Sequence, residues 1–126
     1  MNGVAGVERH GAELLERVLE LAQRARVLLD AEGLTIRRYR ALRALSGGPL
    51  RVGELARAIE VRGPTAVTLV QRLVEEGLVE REPDPTDQRA TVLRLSERGL
   101  ERLDAAHSRL LDEFDRIARA SARVLL

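Results

Sequence analysis

The chain has no cysteine, no tryptophan and no lysine among its 126 residues, and its aromatic side chains are limited to Tyr39 and Phe114. The missing cysteine rules out disulfides, thiol chemistry and Cys-based metal sites, and with them peroxide sensing by thiol oxidation. Two aromatics cannot supply a stacking platform, so binding of single-stranded nucleic acid is disfavoured and the core must be aliphatic. No apolar run approaches the ~18 residues of a membrane span. The opening MNGVAGVERHG lacks the basic start and apolar stretch of a signal peptide. A soluble, cytoplasmic protein is expected. Enzymatic machinery is equally scarce: there is no Ser/His/Asp set, no phosphate-cradling glycine loop and no acid pair in a readable cleft. His10 and His107 stand alone, one in each terminal segment, so neither a metal site nor a cofactor is expected.

The formal net charge is +1, which alone does not favour a nucleic-acid partner. The distribution says more. Residues 33–62 hold seven arginines and two acids, whereas acids outnumber bases on either side. All 21 basic residues are arginine; coding bias accounts for that as well as phosphate binding does.

This length makes one domain, 1–126, with a modest core. No repeat, low-complexity segment or interdomain linker is visible. Residues 1–7 are small and polar and are expected to fray. Over 8–31, Leu14, Leu15, Val18, Leu21, Ala22, Ala25, Leu28 and Leu29 recur at helical spacing, and Gly33 provides the stop. Thr35 can cap a second helix with Ile36, Tyr39, Leu42 and Leu45 as its buried stripe. Arg37, Arg38, Arg40 and Arg43 fill its other sides, either as a solvated face or as phosphate contacts. SGGP at 46–49 is a turn, and 50–52 can add an extended piece to a hairpin downstream. A short helix over 52–59 follows, tightly linked through 60–63 to the next.

The rest is organised around 63–99. A helix over 64–76 gathers Ala66, Leu69, Val70 and Leu73 on one face, and Gly77 ends it. Residues 78–82 and 91–95 read as strands, joined by the broken, polar loop PDPTDQRA. Ser96 caps a last helix, 97–126, with Leu100, Leu103, His107, Leu110, Leu111, Phe114, Ile117, Ala118 and Val124 at 3–4 spacing. At 1.5 Å per residue it is about 45 Å long, more stripe than so small a domain buries alone. Segments 8–31 and 97–126 are thus expected to form a dimer interface; the alternative is that both fold back over the core. Two short helices joined by about four residues make a helix-turn-helix. The expected fold is mainly α: a winged helix-turn-helix of about five helices with a two- to three-stranded β-wing, plus long terminal helices.

Over roughly 34–99 these residues resemble the MarR family of bacterial transcription regulators. The strongest marker is the wing DPTDQRA, with Asp84, Asp87 and Arg89 placed as in the family's D-x-x-D-x-R pattern. VLRLSERG, from Val92 to Gly99, is similar to the family's strand, capping hydroxyl and glycine. Leu55 and Ala56, Arg72 and Leu73, and the run GLVER from Gly77 also fit. Each is weak alone; their order and spacing are specific. The resemblance implies a homodimeric regulator of transcription, usually a repressor, on a pseudo-palindromic double-stranded operator. It places helix 64–76 in the major groove and the wing on the minor groove, with 34–96 as the DNA-binding unit. Many relatives respond to a small aromatic effector bound between the dimer helices and the reading domain. The docking is physically sensible: the major groove admits a helix and exposes base edges, and two-fold symmetry sets half-sites about one turn, or a multiple, apart.

The candidate DNA-binding residues follow. Arg62 precedes the helix as a phosphate clamp. Thr65 and Thr68 are short donors near its start, Gln71 can bond adenine, and Arg72 can bond guanine or phosphate. Arg89 resembles the family's minor-groove arginine and suits a narrow groove of enhanced negative potential. Thr65 has capping as its alternative, Arg72 an ion pair with a nearby acid, and Arg89 a surface ion pair alone. Asp84 and Asp87 would be repelled by phosphates and are expected to brace Arg89 or turn the loop. The chain departs from the family at Val67, where Thr is common, at Thr68, where a small or basic residue is common, and at Gln88, where Arg is common. Tyr39, His10 and His107 are the candidate lining of an effector pocket. The competing reading is a winged-helix module that binds another protein and not DNA.

Overall fold

The apolar spacing becomes helix wherever it runs at 3–4. The computed structural model describes the backbone of residues 2–125 and the side chains of residues 6 and 8–120; Val124 lies outside those side chains. The order is α1 (Asn2–Ala31), α2 (Ile36–Leu45), α3 (Val52–Ala58), α4 (Gly63–Glu75), β1 (Val79–Pro83), β2 (Thr91–Leu95) and α5 (Glu97–Leu125). The fold is mainly α, a winged helix-turn-helix with long terminal helices. α1 begins at Asn2, well before the helix start at residue 8 expected from sequence. No proline lies in that segment, and extending an existing helix gains a hydrogen bond per residue without a new nucleus.

Two helices end by the same device. Gly33 and Gly77 take φ of +72° and +75°. The amide of Leu34 donates to the Leu29 carbonyl at 2.8 Å and that of Gly33 to Asp30 at 3.0 Å. Leu78 likewise donates to Leu73 at 2.9 Å and Gly77 to Val74 at 3.0 Å. This paired closure satisfies the last helical carbonyls. It also brings together Leu29 with Leu34, and Leu73 with Leu78, all four buried.

β1 and β2 pair antiparallel, from Val79 opposite Leu95 to Pro83 opposite Thr91. The first strand sits one residue later than the 78–82 expected from sequence. Leu50 adds the expected third piece: its amide donates to the Leu93 carbonyl at 3.1 Å, and its carbonyl accepts from the Leu93 amide at 2.7 Å. The core is aliphatic throughout. Leu29, Leu42, Leu55, Leu73, Val79, Leu93 and Leu103 bring one side chain from every element into it. Ile36 departs from the expected buried stripe of α2; it is 39% exposed, and Ala41 is buried instead. Its position on the first turn leaves it at the rim of a groove beside α4.

α1 and α5 pack on each other, yet this does not cover their stripes. Leu14, Leu15, Val18 and Leu19 on α1, and Leu111 and Phe114 on α5, remain 48–59% exposed.

One close approach fixes where α5 begins. Ser96 donates its backbone N–H to the Leu78 carbonyl at 3.1 Å. Its hydroxyl donates to the Gly77 carbonyl and accepts from the Gly99 amide at 2.9 Å. A Cβ at Gly99 would run into the Leu78 carbonyl oxygen. Gly99→Ala should therefore lower stability by about 1–3 kcal/mol, the usual cost of overpacking, seen as a loss of several degrees in Tm. Gly53→Ala is the control, since its Cβ would meet open space and should leave Tm level or raised.

Candidate nucleic-acid interface

The turn between α3 and α4 is made tight by one residue. Glu60 takes φ +57°, uncommon for a residue with a Cβ, and Val61 N–H then reaches the Ala56 carbonyl at 3.0 Å. The chain re-enters helix at once. Arg62 is the N-cap residue, extended at φ −71° and ψ 153°, with Pro64 in the first turn, where a missing N–H costs nothing.

α4 buries Ala66, Leu69, Val70 and Leu73. That choice of face decides what is left outside. Thr68, Gln71, Arg72, Glu75 and Val67 are exposed, and Thr65 is half-buried. The cap position belongs to Arg62, whose side chain makes no capping bond, so capping does not account for Thr65. Thr65, Thr68 and Arg72 instead share one wall of an open groove of about 960 Å³, opposite Arg37, Arg38 and Arg40. The Thr68 hydroxyl donates back to the Pro64 carbonyl at 3.2 Å. Glu76, the acid one turn beyond Arg72, pairs with Arg38, leaving Arg72 unpaired among the described residues.

The four arginines of α2 divide. Arg38 meets Glu76 and donates to the Gly33 carbonyl at 3.3 Å. Burial, with Arg102 and Arg72 nearby, lowers its pKa from the ordinary value. Arg40 donates to the Ile59 carbonyl at 3.2 Å. These two tie α2 to the end of α4 and to the helix-turn-helix corner, a structural role outside both sequence alternatives. Arg37 and Arg43 stay exposed.

The wing has a fixed base and a free tip. Asp84 is 7% exposed. Its Oδ1 accepts from the Thr86 amide at 2.9 Å and the Thr86 hydroxyl at 2.8 Å. Its Oδ2 accepts from Arg51 Nε at 2.8 Å and Nη2 at 2.6 Å. Of the two roles expected for Asp84, it takes the second: it turns the loop through Thr86 and does not brace Arg89, its charged partner being Arg51, the residue before α3. The separation of 33 positions left no local signal for it. The Thr86 amide first, then its hydroxyl and Arg51, pull the Asp84 carboxyl down to about 2. Asp87 does brace Arg89, accepting from its amide at 3.1 Å and its Nε at 3.2 Å. The Arg89 side chain is nevertheless 93% exposed.

The three effector candidates do not share one wall. Tyr39 Oη and His107 Nδ1 lie 2.8 Å apart, joining α2 to α5, and burial raises the tyrosine pKa. His10 is exposed near the start of α1. None of the three lines the groove beside α4 or the apolar cleft of about 280 Å³ between α1 and α5.

A folded-state pKa below the ordinary aspartate value of about 3.9 means that the ionised Asp84 supports the fold. That support is complete above the ordinary value and is lost as pH falls through about 2. Amide exchange across 84–90 should accelerate over that acid range before the core melts. Asp84→Asn, which keeps an acceptor and removes the charge, should give the same acceleration at neutral pH.

The MarR family profile matches residues 32–90. An uncharacterized helix-turn-helix-type transcriptional regulator of Mycobacterium leprae is 30% identical over 99 residues, spanning 78% of this chain and 69% of that one. AbsC, a MarR family transcriptional regulator from Streptomyces coelicolor, has TM-score 0.77 at 25% identity, over 87% of this chain and 76% of its own. NadR, solved in complex with 4-hydroxyphenylacetate, has TM-score 0.75 at 25% identity, over 89% and 80%. Such proteins are regulators and not enzymes. By sequence and by architecture alike, this chain belongs to the MarR family of transcriptional regulators.

Proposed function

We propose that the chain is a sequence-specific reader of double-stranded DNA that works as a homodimer in the cytoplasm, repressing transcription from a pseudo-palindromic operator. The observation that carries this reading is the pairing of two exposed surfaces. α4 offers Thr68, Gln71 and Arg72 on the side away from its buried face, and the wing holds out Arg89 from a loop fixed at its base. Arg62, at the mouth of α4, suits a backbone phosphate, as does the helix start itself. Thr65 lies at the groove edge, within the same surface.

Dimerisation draws support from the uncovered side chains of α1 and α5. Contiguous apolar surface of that kind marks an interaction site, and two copies related by a two-fold axis would present two α4 helices to one face of a duplex. The effector reading rests on less: the half-buried Tyr39–His107 pair at the α2–α5 junction, and the phenolic acid in the NadR complex. A small aromatic molecule at that junction, between the reading unit and the long helices, would release the operator.

Two measurements test this. Sedimentation should give a dimer at micromolar concentration; a clean monomer would overturn the assembly. Anisotropy titrations on the DNA upstream of the chain's own gene should show tight binding that weakens steeply with salt. Arg89→Ala should weaken it with the dimer intact and reduce the log–log salt slope by about two, one per subunit. Failure to bind any duplex at low salt would favour a protein partner for the winged unit.

A further inference from the structure

Val67 is the residue of α4 that stability does not explain. It is 52% exposed, and it is the single large hydrophobic side chain left so exposed between Ile36 and Leu100 among the described residues. It packs on no core position, and a β-branched side chain costs helix propensity relative to alanine. Its surroundings make the apolar surface more conspicuous. The neighbouring Thr68 has its hydroxyl proton engaged by the Pro64 carbonyl at 3.2 Å. Gln71 follows one turn later, at i+4, and is exposed as well. Val67 is the fifth residue of α4, in the N-terminal part that helix-turn-helix proteins set against base edges.

Within the major groove one base alone carries an apolar projection, the 5-methyl group of thymine. We infer that the two γ-methyls of Val67 read that group, making Val67 a specificity-determining residue for one thymine in each half-site. Gln71, on the same side of the helix, has the donor and acceptor to take an adenine nearby. The helix thus selects an A·T-containing step by one apolar and one polar contact, with Arg72 left for guanine or phosphate. This inference rests on the DNA-binding reading, and it narrows that reading to a base.

The test uses the full chain and a duplex selected by it from a random pool. Each thymine of the selected site is replaced in turn by deoxyuridine, which lacks only the 5-methyl group. Wild type should lose about fourfold in affinity at one position per half-site, the effect of withdrawing one buried methyl. Val67→Ala keeps the Cβ and improves helix propensity, so folding is preserved. It should bind thymine and deoxyuridine duplexes equally at that position while retaining the preference at every other. A wild-type profile flat across all thymines, or a methyl effect that survives in Val67→Ala, would overturn the assignment with DNA binding intact. Selection of no duplex at all would remove the DNA-binding reading and this inference with it.

Discussion

The fold turns on the knot where the hairpin closes. Ser96 sends one hydrogen bond to the Leu78 carbonyl and another to the Gly77 carbonyl, while Gly99 offers its amide to the serine hydroxyl. The end of α4 and the start of α5 are held against each other with room for a hydrogen, and not a methyl, at position 99. Everything between them, the two strands and the wing, must leave and return through that closure. The same closure sets the direction of α5, and so relates the exposed apolar stripe of the long helix to the exposed polar side of α4.

A second constraint acts from the side. The arginine excess in 33–62 looks from sequence like a supply of phosphate contacts. Three of its seven arginines are structural. Arg38 and Arg40 are committed to carbonyls and to Glu76, and Arg51 to Asp84. A guanidinium suits these tasks because its several donors satisfy two or more acceptors at once. The charge excess of this segment therefore serves in part to hold the fold together. Among the described residues, Arg37, Arg43, Arg57 and Arg62 of this segment make no such bond, and all four are exposed.

Local chemistry was the legible part of the sequence. Gly33 and Gly77 announced their helix ends because the left-handed closure needs only neighbours five residues back. Thr35 and Ser96 announced their caps, and PDPTDQRA its loop, for the same reason. The polar side of α4 followed by subtraction once its buried quartet was identified. Features that depend on distant partners were not legible. Arg51 meets Asp84 across the hairpin, Gly99 is required by Leu78, and Ile36 is exposed because no element covers the first turn of α2. Tyr39 and His107 are pocket candidates through the family resemblance; their meeting at 2.8 Å depends on how α2 and α5 cross, while His10 joins neither. The extent of α1 was missed because small residues without proline do not by themselves stop a helix.

The two carboxylates of the wing stand in opposite environments. Asp84 accepts four contacts and is almost wholly covered. Its charge is neutralised within the protein, by Arg51 and by aligned donors, so a duplex would meet little of its field. Asp87 is the opposite case. It pairs with an arginine that is 93% exposed, and surface pairs of that kind are worth about 0.2–1 kcal/mol. Such a pair orients Arg89 while holding it only lightly. Exchanging the two environments would bury Arg89 with Asp87 and leave the loop without its Asp84 anchor. The spacing of three between the carboxylates achieves the separation, because the Thr86 turn folds the first inward and leaves the second at the rim.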